Sequence, residues 1–256
     1  MAIHPTALVD SRATIHPEAE IGPYVVIDGP VHIGRGTKVL AHAVLVGNTT
    51  IGEDNEIHMG TVIGHIPQDV AYKGVSTFLK IGNRNIIREH SQIHRGTKEG
   101  TSTVIGDDNF FMHNSHVAHN CCIGDRVVIA NAVQLAGYVV VDDWAIVGGG
   151  TVVHQFTRIG RHSMIGGGSR VSQDIAPFVK SAGSPPRNAG INAIGLERRG
   201  FGRETRDAIE RAYRIFFRDG ATASRAVETI RRELPGIPEA EHFARFCETS
   251  VRGITR

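Results

Sequence analysis

The chain has 256 residues, 41% hydrophobic and 21% charged, a balance that suits a folded globular protein and excludes wholesale disorder. A formal charge of +2 and a pI near 8.5 are too mild to argue for a nucleic-acid partner, and no run of 18 apolar residues is present to span a membrane. Aromatic residues reach only 6% while glycines number 30, as expected of an aliphatic core joined by many tight turns.

The opening MAIHPTALVDSRAT carries neither a basic nor an apolar leader region, so no signal peptide is expected. From Ile3 the chain steps by six: Val9, Ile15, Ile21, Ile27, Ile33, Val39, Leu45, Ile51, Ile57, Ile63, then Ile81, Ile87, Ile93, then Ile105 through Val171. Of the 29 positions in this series only Asp69 and Glu99 are polar, which chance cannot produce at this composition. A period of six is neither helical nor simple alternation. It predicts a short strand and a turn per hexapeptide, three hexapeptides closing an 18-residue coil, and coils stacked into a parallel β-helix whose apolar series lines the axis.

Two stretches, 64–80 and 94–104, keep the phase but break the pattern, and are expected as loops leaving one corner of the prism. After Val171 the period ends, and Ser184-Pro185-Pro186 marks a junction. Residues 203–218, 222–234 and 238–251 then read as amphipathic helices, the first with Ile209, Ala212, Tyr213, Phe216 and Phe217 on one face. The expected organisation is mainly β: a β-helix over 1–183 and a small helical domain over 184–256. Three cysteines, two of them adjacent (Cys121, Cys122), make a poor disulfide framework, so a reducing cytoplasm and corner or core packing are expected.

Histidines concentrate in the central coils. His116 and His119 fall in one coil, and steps of 18 from His119 reach Gly137 and Gln155, with Tyr138 and His154 beside them. An imidazole titrating near neutrality suits general-base work on a hydroxyl. Counting by 18 puts His94 on a different face of the preceding coil, where a second chain would have to bring it to the cluster.

The motifs IHRGT (93–97), NSHVAHNC (114–121), LAG (135–137), VHQF (153–156) and GLERRGF (195–201) resemble those of the acyl-carrier-protein-dependent UDP-N-acetylglucosamine O-acyltransferases of lipid A biosynthesis, within the left-handed β-helix transferases. The resemblance runs nearly end to end. It implies left-handed winding, a homotrimer with sites between prisms, and transfer of an (R)-3-hydroxyacyl chain from acyl carrier protein to the 3-hydroxyl of a UDP-sugar. It implies no cofactor and no metal. By the same resemblance His119 is the base and Gly137 the oxyanion donor. Gln68, Asp69, His94, His116, Tyr138, His154 and Gln155 contact the sugar and phosphates. Asn192, Arg198 and Arg199 meet the nucleotide, and Gly167 sets acyl-chain length, its lack of a side chain favouring a longer chain.

The chain departs from the family pattern at four places. Ala71 stands where a lysine is usual, with Lys73 two residues on. Tyr138 replaces a histidine, Asn120 an aspartate and Ile194 a glutamate. These departures motivate an alternative acceptor, a 3-amino UDP-hexosamine acylated on nitrogen. A more remote alternative is a zinc hydratase built on His58 and His94, which lie 36 residues apart and by simple counting two coils apart on one face.

Overall fold

The computed structural model describes residues 2–256. Every third strand returns to the same sheet, so three sheets of eleven, nine and eight strands enclose one apolar axis, and the chain visits them in that order. All pairings are parallel except the last, and most neighbours sit eighteen residues apart, as Ile3 against Ile21 and Leu135 against Val153.

In the open first coil Val9 stays 37% exposed, and from the second coil on each regular repeat sends two side chains to the axis. One is the apolar residue of the six-residue series; the other lies two positions earlier, as in the pairs Val25 with Ile27, Val31 with Ile33 and Ala43 with Leu45, all at most 1% exposed. A one-residue slip would expose the whole set, and each buried aliphatic contributes about 1.5–3 kcal/mol, so the register is firmly held.

In three coils the second position is asparagine. Asn55, Asn85 and Asn109 are buried and stack as a ladder: the Asn85 N–H and Nδ2 donate to Asn55 Oδ1 at 2.9 and 3.0 Å, and the Asn109 N–H donates to Asn85 Oδ1 at 2.9 Å. Bonded in this way, the Asn55 and Asn85 amides are tolerated where bare ones would be costly, and of the three only Asn109 Nδ2, at the end of the ladder, lacks a partner among the described residues.

In many repeats from Ile21 on, the third residue after the apolar position takes a left-handed conformation, and several of these are bulky, including Tyr24, His42, Tyr138, Trp144, Phe156, His162 and Phe178. Such backbone costs an L-residue about 1–2 kcal/mol. Ring stacking from coil to coil offsets part of it: Tyr138 on Phe156 at 5.0 Å, Trp144 on His162 at 6.0 Å, His162 on Phe178 at 5.8 Å.

Both excursions leave the corner between the nine- and eight-stranded sheets, and both are shorter than expected. Strands Val62–His65 and Phe78–Ile81 confine the first to 66–77, while Gln92–His94 and Ser102–Ile105 confine the second to 95–101. Ile63 pairs with Ile93 and Ile81 with Ile105, separations of thirty and twenty-four in place of eighteen. The insertions are thus twelve and six residues, whole repeats, which is why the series keeps its phase across them.

The junction also differs from expectation. Ser184 and Pro185 turn a hairpin between Val179–Gly183 and Pro186–Ile191, and the second strand extends the eleven-stranded sheet, so helix begins only after Asn192. The helices are α1 (Ala193–Arg198), α2 (Arg203–Phe217), α3 (Ala223–Glu233) and α4 (Pro238–Glu248). Short α1 lacks a full amphipathic period and left no trace in the pattern. The α2 face buries Ala208, Ile209, Ala212, Tyr213, Ile215 and Phe216, with Phe217 half-buried. The tail is tied to the prism through buried Asp174, whose Oδ2 accepts from Ser250 Oγ at 2.7 Å and whose C=O accepts from the Thr255 N–H at 2.8 Å. Cys121 and Cys247 are buried, whereas Cys122 faces outward from the eight-stranded sheet, so packing accounts for only one of the adjacent pair.

Candidate active site

His119 is the second residue after Val117, at the corner that both loops overhang. Its ring lies outside the prism yet is only 6% exposed. It rests on the bare Cα of Gly137, one coil on: a methyl group placed there would lie 2.5 Å from Nε2 and 2.9 Å from Nδ1. Tyr138 meets the ring edge-on at 5.4 Å, Asp69 from the first loop brings Oδ2 to 3.6 Å from Nε2, and Asn120 Oδ1 lies 3.2 Å from Nδ1. The Gly137 C=O accepts from the Phe156 N–H at 3.1 Å, but no hydrogen bond among the described residues uses the Gly137 N–H. An imidazole nitrogen and a free backbone donor therefore sit side by side.

The neighbouring histidines belong to the same chain. His94 follows Ile93, which pairs with Val117, and the His94 and His116 rings are 5.1 Å apart. The expectation that His94 lies on another face and needs a second chain is corrected: the six-residue loop makes one coil twenty-four residues long here. His65, absent from the expected set, packs edge-on to His94 at 6.3 Å. His94 Nδ1 donates to the Ile66 C=O at 2.6 Å, which leaves Nε2 as the ring's acceptor. Burial, reinforced by the charges His94 and His119 would carry, pushes the His116 pKa down to about 4. Burial also lowers His94, opposed by its bond to Ile66. Both rings are consequently neutral at pH 7.

The loops hold each other in place. Arg95 donates from Nη1 to the Gly64 C=O at 3.1 Å and from Nη2 to the Tyr72 hydroxyl at 3.2 Å, and the Ser76 N–H donates to Glu99 Oε2 at 3.1 Å. Asp69 Oδ1 accepts from the Ala71 N–H at 2.9 Å, which turns Oδ2 toward His119. Gln68, Ala71 and Lys73 are exposed on the same loop. Thr97, in the second loop and 7% exposed, donates to Asn120 Oδ1 from both its N–H and its Oγ1, each at 3.0 Å. Thr97 stood inside the IHRGT motif but its reach back across the corner depends on loop geometry.

Gln155 lies half-buried one coil beyond Gly137, and His154 is exposed with Nδ1 3.0 Å from the Gln155 C=O. Asn192, Arg198 and Arg199 lie elsewhere in the single chain. Asn192 is buried and donates to the His162 C=O at 3.0 Å. Arg198 lines a cleft of about 450 Å³ with Ile146, Met164, Lys180 and Ile194 on the eleven-stranded sheet. The Arg199 guanidinium packs over Trp144 at 5.0 Å and touches His162 Nδ1 at 3.2 Å. Gly167 and Gly149 stack at the corner between the eleven- and nine-stranded sheets, where two triple-glycine turns leave a bare notch. One chain thus assembles His119, Gly137, Asp69, His94, His116, Tyr138 and Gln155, and does not bring Gly167 or the nucleotide set to them.

The zinc arrangement has no geometric basis. The twelve-residue loop falls between His58 and His94, so they do not stack: His58 follows the eleven-stranded sheet and lies 3.3 Å from Glu89, while His94 ends a strand of the nine-stranded one.

Residues 174–255 match the family model for UDP-N-acetylglucosamine O-acyltransferase, domain 2, and residues 30–65 and 102–137 match the bacterial transferase hexapeptide model. A curated acyl-[acyl-carrier-protein]–UDP-N-acetylglucosamine O-acyltransferase from Thermodesulfovibrio yellowstonii is 47% identical over 99% of both chains. Among solved structures, LpxA of Acinetobacter baumannii superposes with a TM-score of 0.97 at 42% identity over the whole of both chains. The UDP-N-acetylglucosamine O-acyltransferase (LpxA) of Moraxella catarrhalis does so with 0.97 at 39%, again over the whole of both chains.

Proposed function

This chain is a left-handed β-helix member of the acyl-carrier-protein-dependent UDP-N-acetylglucosamine O-acyltransferases, and from that premise we propose that His119 is the base that frees the sugar 3-hydroxyl for attack on the acyl thioester. The supporting observation is the seat of its imidazole on Gly137 beside an unused N–H.

The steps follow from that seat. Nε2 takes the proton of the 3-hydroxyl, and the oxygen attacks the thioester carbonyl of an (R)-3-hydroxyacyl chain. The carbonyl π pair moves onto oxygen, where the Gly137 N–H stabilises it; one such donor is worth about 3–4 kcal/mol in acyl transfer. The tetrahedral species collapses, the C–S bond breaks, and the imidazolium passes its proton to the departing sulfur, releasing the carrier thiol and returning His119 to its neutral form. Asp69 hydrogen-bonds the incoming sugar and gives way from Nε2 as it enters, and neutral His94 and His116 contact the sugar without adding charge. Tyr138, Gln155, His154 and Gln68 complete the acceptor wall.

Asn192, Arg198 and Arg199 serve the nucleotide phosphates, to which guanidinium groups bond in pairs, and Gly167 leaves the acyl groove open to a long chain. Because these lie away from His119 within one chain, a homotrimer supplies them from a neighbouring prism. The product enters lipid A synthesis, and the enzyme works in the cytoplasm. The test is His119→Ala assayed with hydroxyacyl carrier protein and UDP-N-acetylglucosamine. Turnover falls by about 10²–10⁴ while the fold persists; a variant as active as the parent ends this reading.

A further inference from the structure

We propose that Thr97 and the Tyr138 hydroxyl are positioning residues that lock the Asn120 amide and so hold His119 in the tautomer with its proton on Nδ1. This rests on the reading of His119 as the base.

The argument begins with a backbone N–H, which can only donate. The Thr97 N–H lies 3.0 Å from the Asn120 amide atom that faces it, so that atom is the oxygen. The Thr97 hydroxyl donates to the same oxygen at 3.0 Å. Two donors from one residue thus fix which way the amide points. His119 Nδ1 approaches the fixed oxygen at 3.2 Å and must carry a hydrogen to meet it. In the neutral ring Nε2 is then bare, and Nε2 is the nitrogen over Gly137 and opposite Asp69.

Tyr138 extends the chain by one link. Having given its proton to Asn120, the Thr97 hydroxyl can only accept, and the Tyr138 hydroxyl stands 3.3 Å away as the donor. Its place is set by the ring, held between His119 at 5.4 Å and Phe156 at 5.0 Å. Orientation from Tyr138 therefore passes through Thr97 and Asn120 to the base.

A carboxylate at position 120 would need no such lock, because both its oxygens accept. An amide does need one, since turned over it presents Nδ2 to Nδ1 and favours a bare Nδ1, leaving the proton on the wrong nitrogen. The chemistry of asparagine at this position thus assigns Thr97 its task.

The experiment is a pair of Thr97 variants in two backgrounds of the full-length enzyme. Thr97→Val lowers kcat by about tenfold with KM little changed, and Thr97→Ser restores it. In the Asn120→Asp background the same Thr97→Val change costs no more than about twofold, because a carboxylate cannot be turned the wrong way. The ¹⁵N spectrum of the His119 ring reads one protonated Nδ1 and one bare Nε2 in the parent, and a measurable share of the opposite form in Thr97→Val, where the backbone N–H alone still holds the amide. Equal loss in both backgrounds makes Thr97 plain structural support and overturns the inference. A fully active Thr97→Val with an unchanged ring spectrum, beside a dead His119→Ala, overturns it alone; a fully active His119→Ala removes the base and the inference together.

Discussion

Along four successive coils of the corner after the eight-stranded sheet, the N–H two residues past the apolar position meets a side chain of the next coil. Glu53 donates to Asn83 Oδ1 at 2.8 Å, Asn83 to Asp107 Oδ1 at 2.8 Å, Asp107 to Asp125 Oδ1 at 2.7 Å and Asp125 to Asp143 Oδ1 at 2.9 Å. At the corner after the nine-stranded sheet, where Gln155 is the counterpart one coil on, the corresponding N–H of Gly137 has no acceptor among the described residues. Backbone, winding and left-handed turn are alike at both. The difference is one class of side chain: a short Asx group closes the ladder, while glycine and glutamine leave it open. On the proposed reading of Gly137, the repeat fold makes its oxyanion donor by omission, withholding a cap that it supplies along those four coils.

The sharpest way to break the contrast is to fill the space that the glycine keeps clear. Gly137 does not have a positive φ, so alanine is conformationally acceptable, and its methyl, 2.5 Å from Nε2 and 2.9 Å from Nδ1, would push the His119 imidazole out of its seat. Gly137→Ala should lower kcat by about 10²–10³ with little change in Tm, because both base and donor are disturbed. A smaller effect comes from closing the open ladder. Gln155→Asp places a short carboxylate as Asp143 stands to Asp125, and capping the Gly137 N–H should cost about 10²-fold in kcat. Gln155→Ala separates the two roles: it loses a substrate contact and mainly raises KM. Equal kcat for the two variants would show that the free N–H is idle.

How far these corners were legible beforehand follows from the two insertions. Both are whole repeats, so the six-residue series passed through them unbroken and the prism could be read from Ile3 to Val171. That same property hid the coil count, which misplaced His94 and stacked His58 on it, while His119, Gly137 and Gln155 lie beyond both loops and were counted correctly. Thr97 and Asp69 reach the corner through loop paths that no periodicity encodes, and His65 comes opposite His94 only through a shift of register at the end of its strand. The asparagine ladder was hidden for another reason: a small polar residue two places before the apolar one looks like turn chemistry in any one repeat, and only the stack reveals that it is buried.

That ladder yields a prediction on stability. Asn85→Ala leaves the Gly106 C=O and the Asn109 N–H without partners inside the prism and takes one of its two donors from Asn55 Oδ1. The expected cost is about 3–5 kcal/mol, read as a lowered midpoint in denaturant. Asp125→Ala at the half-buried outer ladder should cost about 1 kcal/mol, since water can replace that carboxylate. If the two lose equally, burial does not separate the inner ladder from the outer one.

The mildest effect is on acid stability. His116 at the site and His162 and His242 near the helical tail are each pushed down to about 4, in every case chiefly by burial. For His242 the second cause is repulsion from Arg161, followed by Arg245 and Arg158, and its ring meets Phe178 edge-on at 6.0 Å. An unfolded histidine titrates near 6.5, so between about pH 6.5 and 4 the unfolded chain holds more protons than the native one. The stability due to these rings is complete above that window and drains away as pH falls through it. His242→Phe removes one titrating ring without touching the site, so the slope of unfolding free energy against pH between 4 and 6.5 should shrink by about one proton while turnover at pH 7 stays as it was. The corresponding change at His116 should flatten the slope equally and also impair acceptor binding, because that ring is kept neutral at the corner left open for substrate, whereas His242 is kept neutral by the tail packed over it.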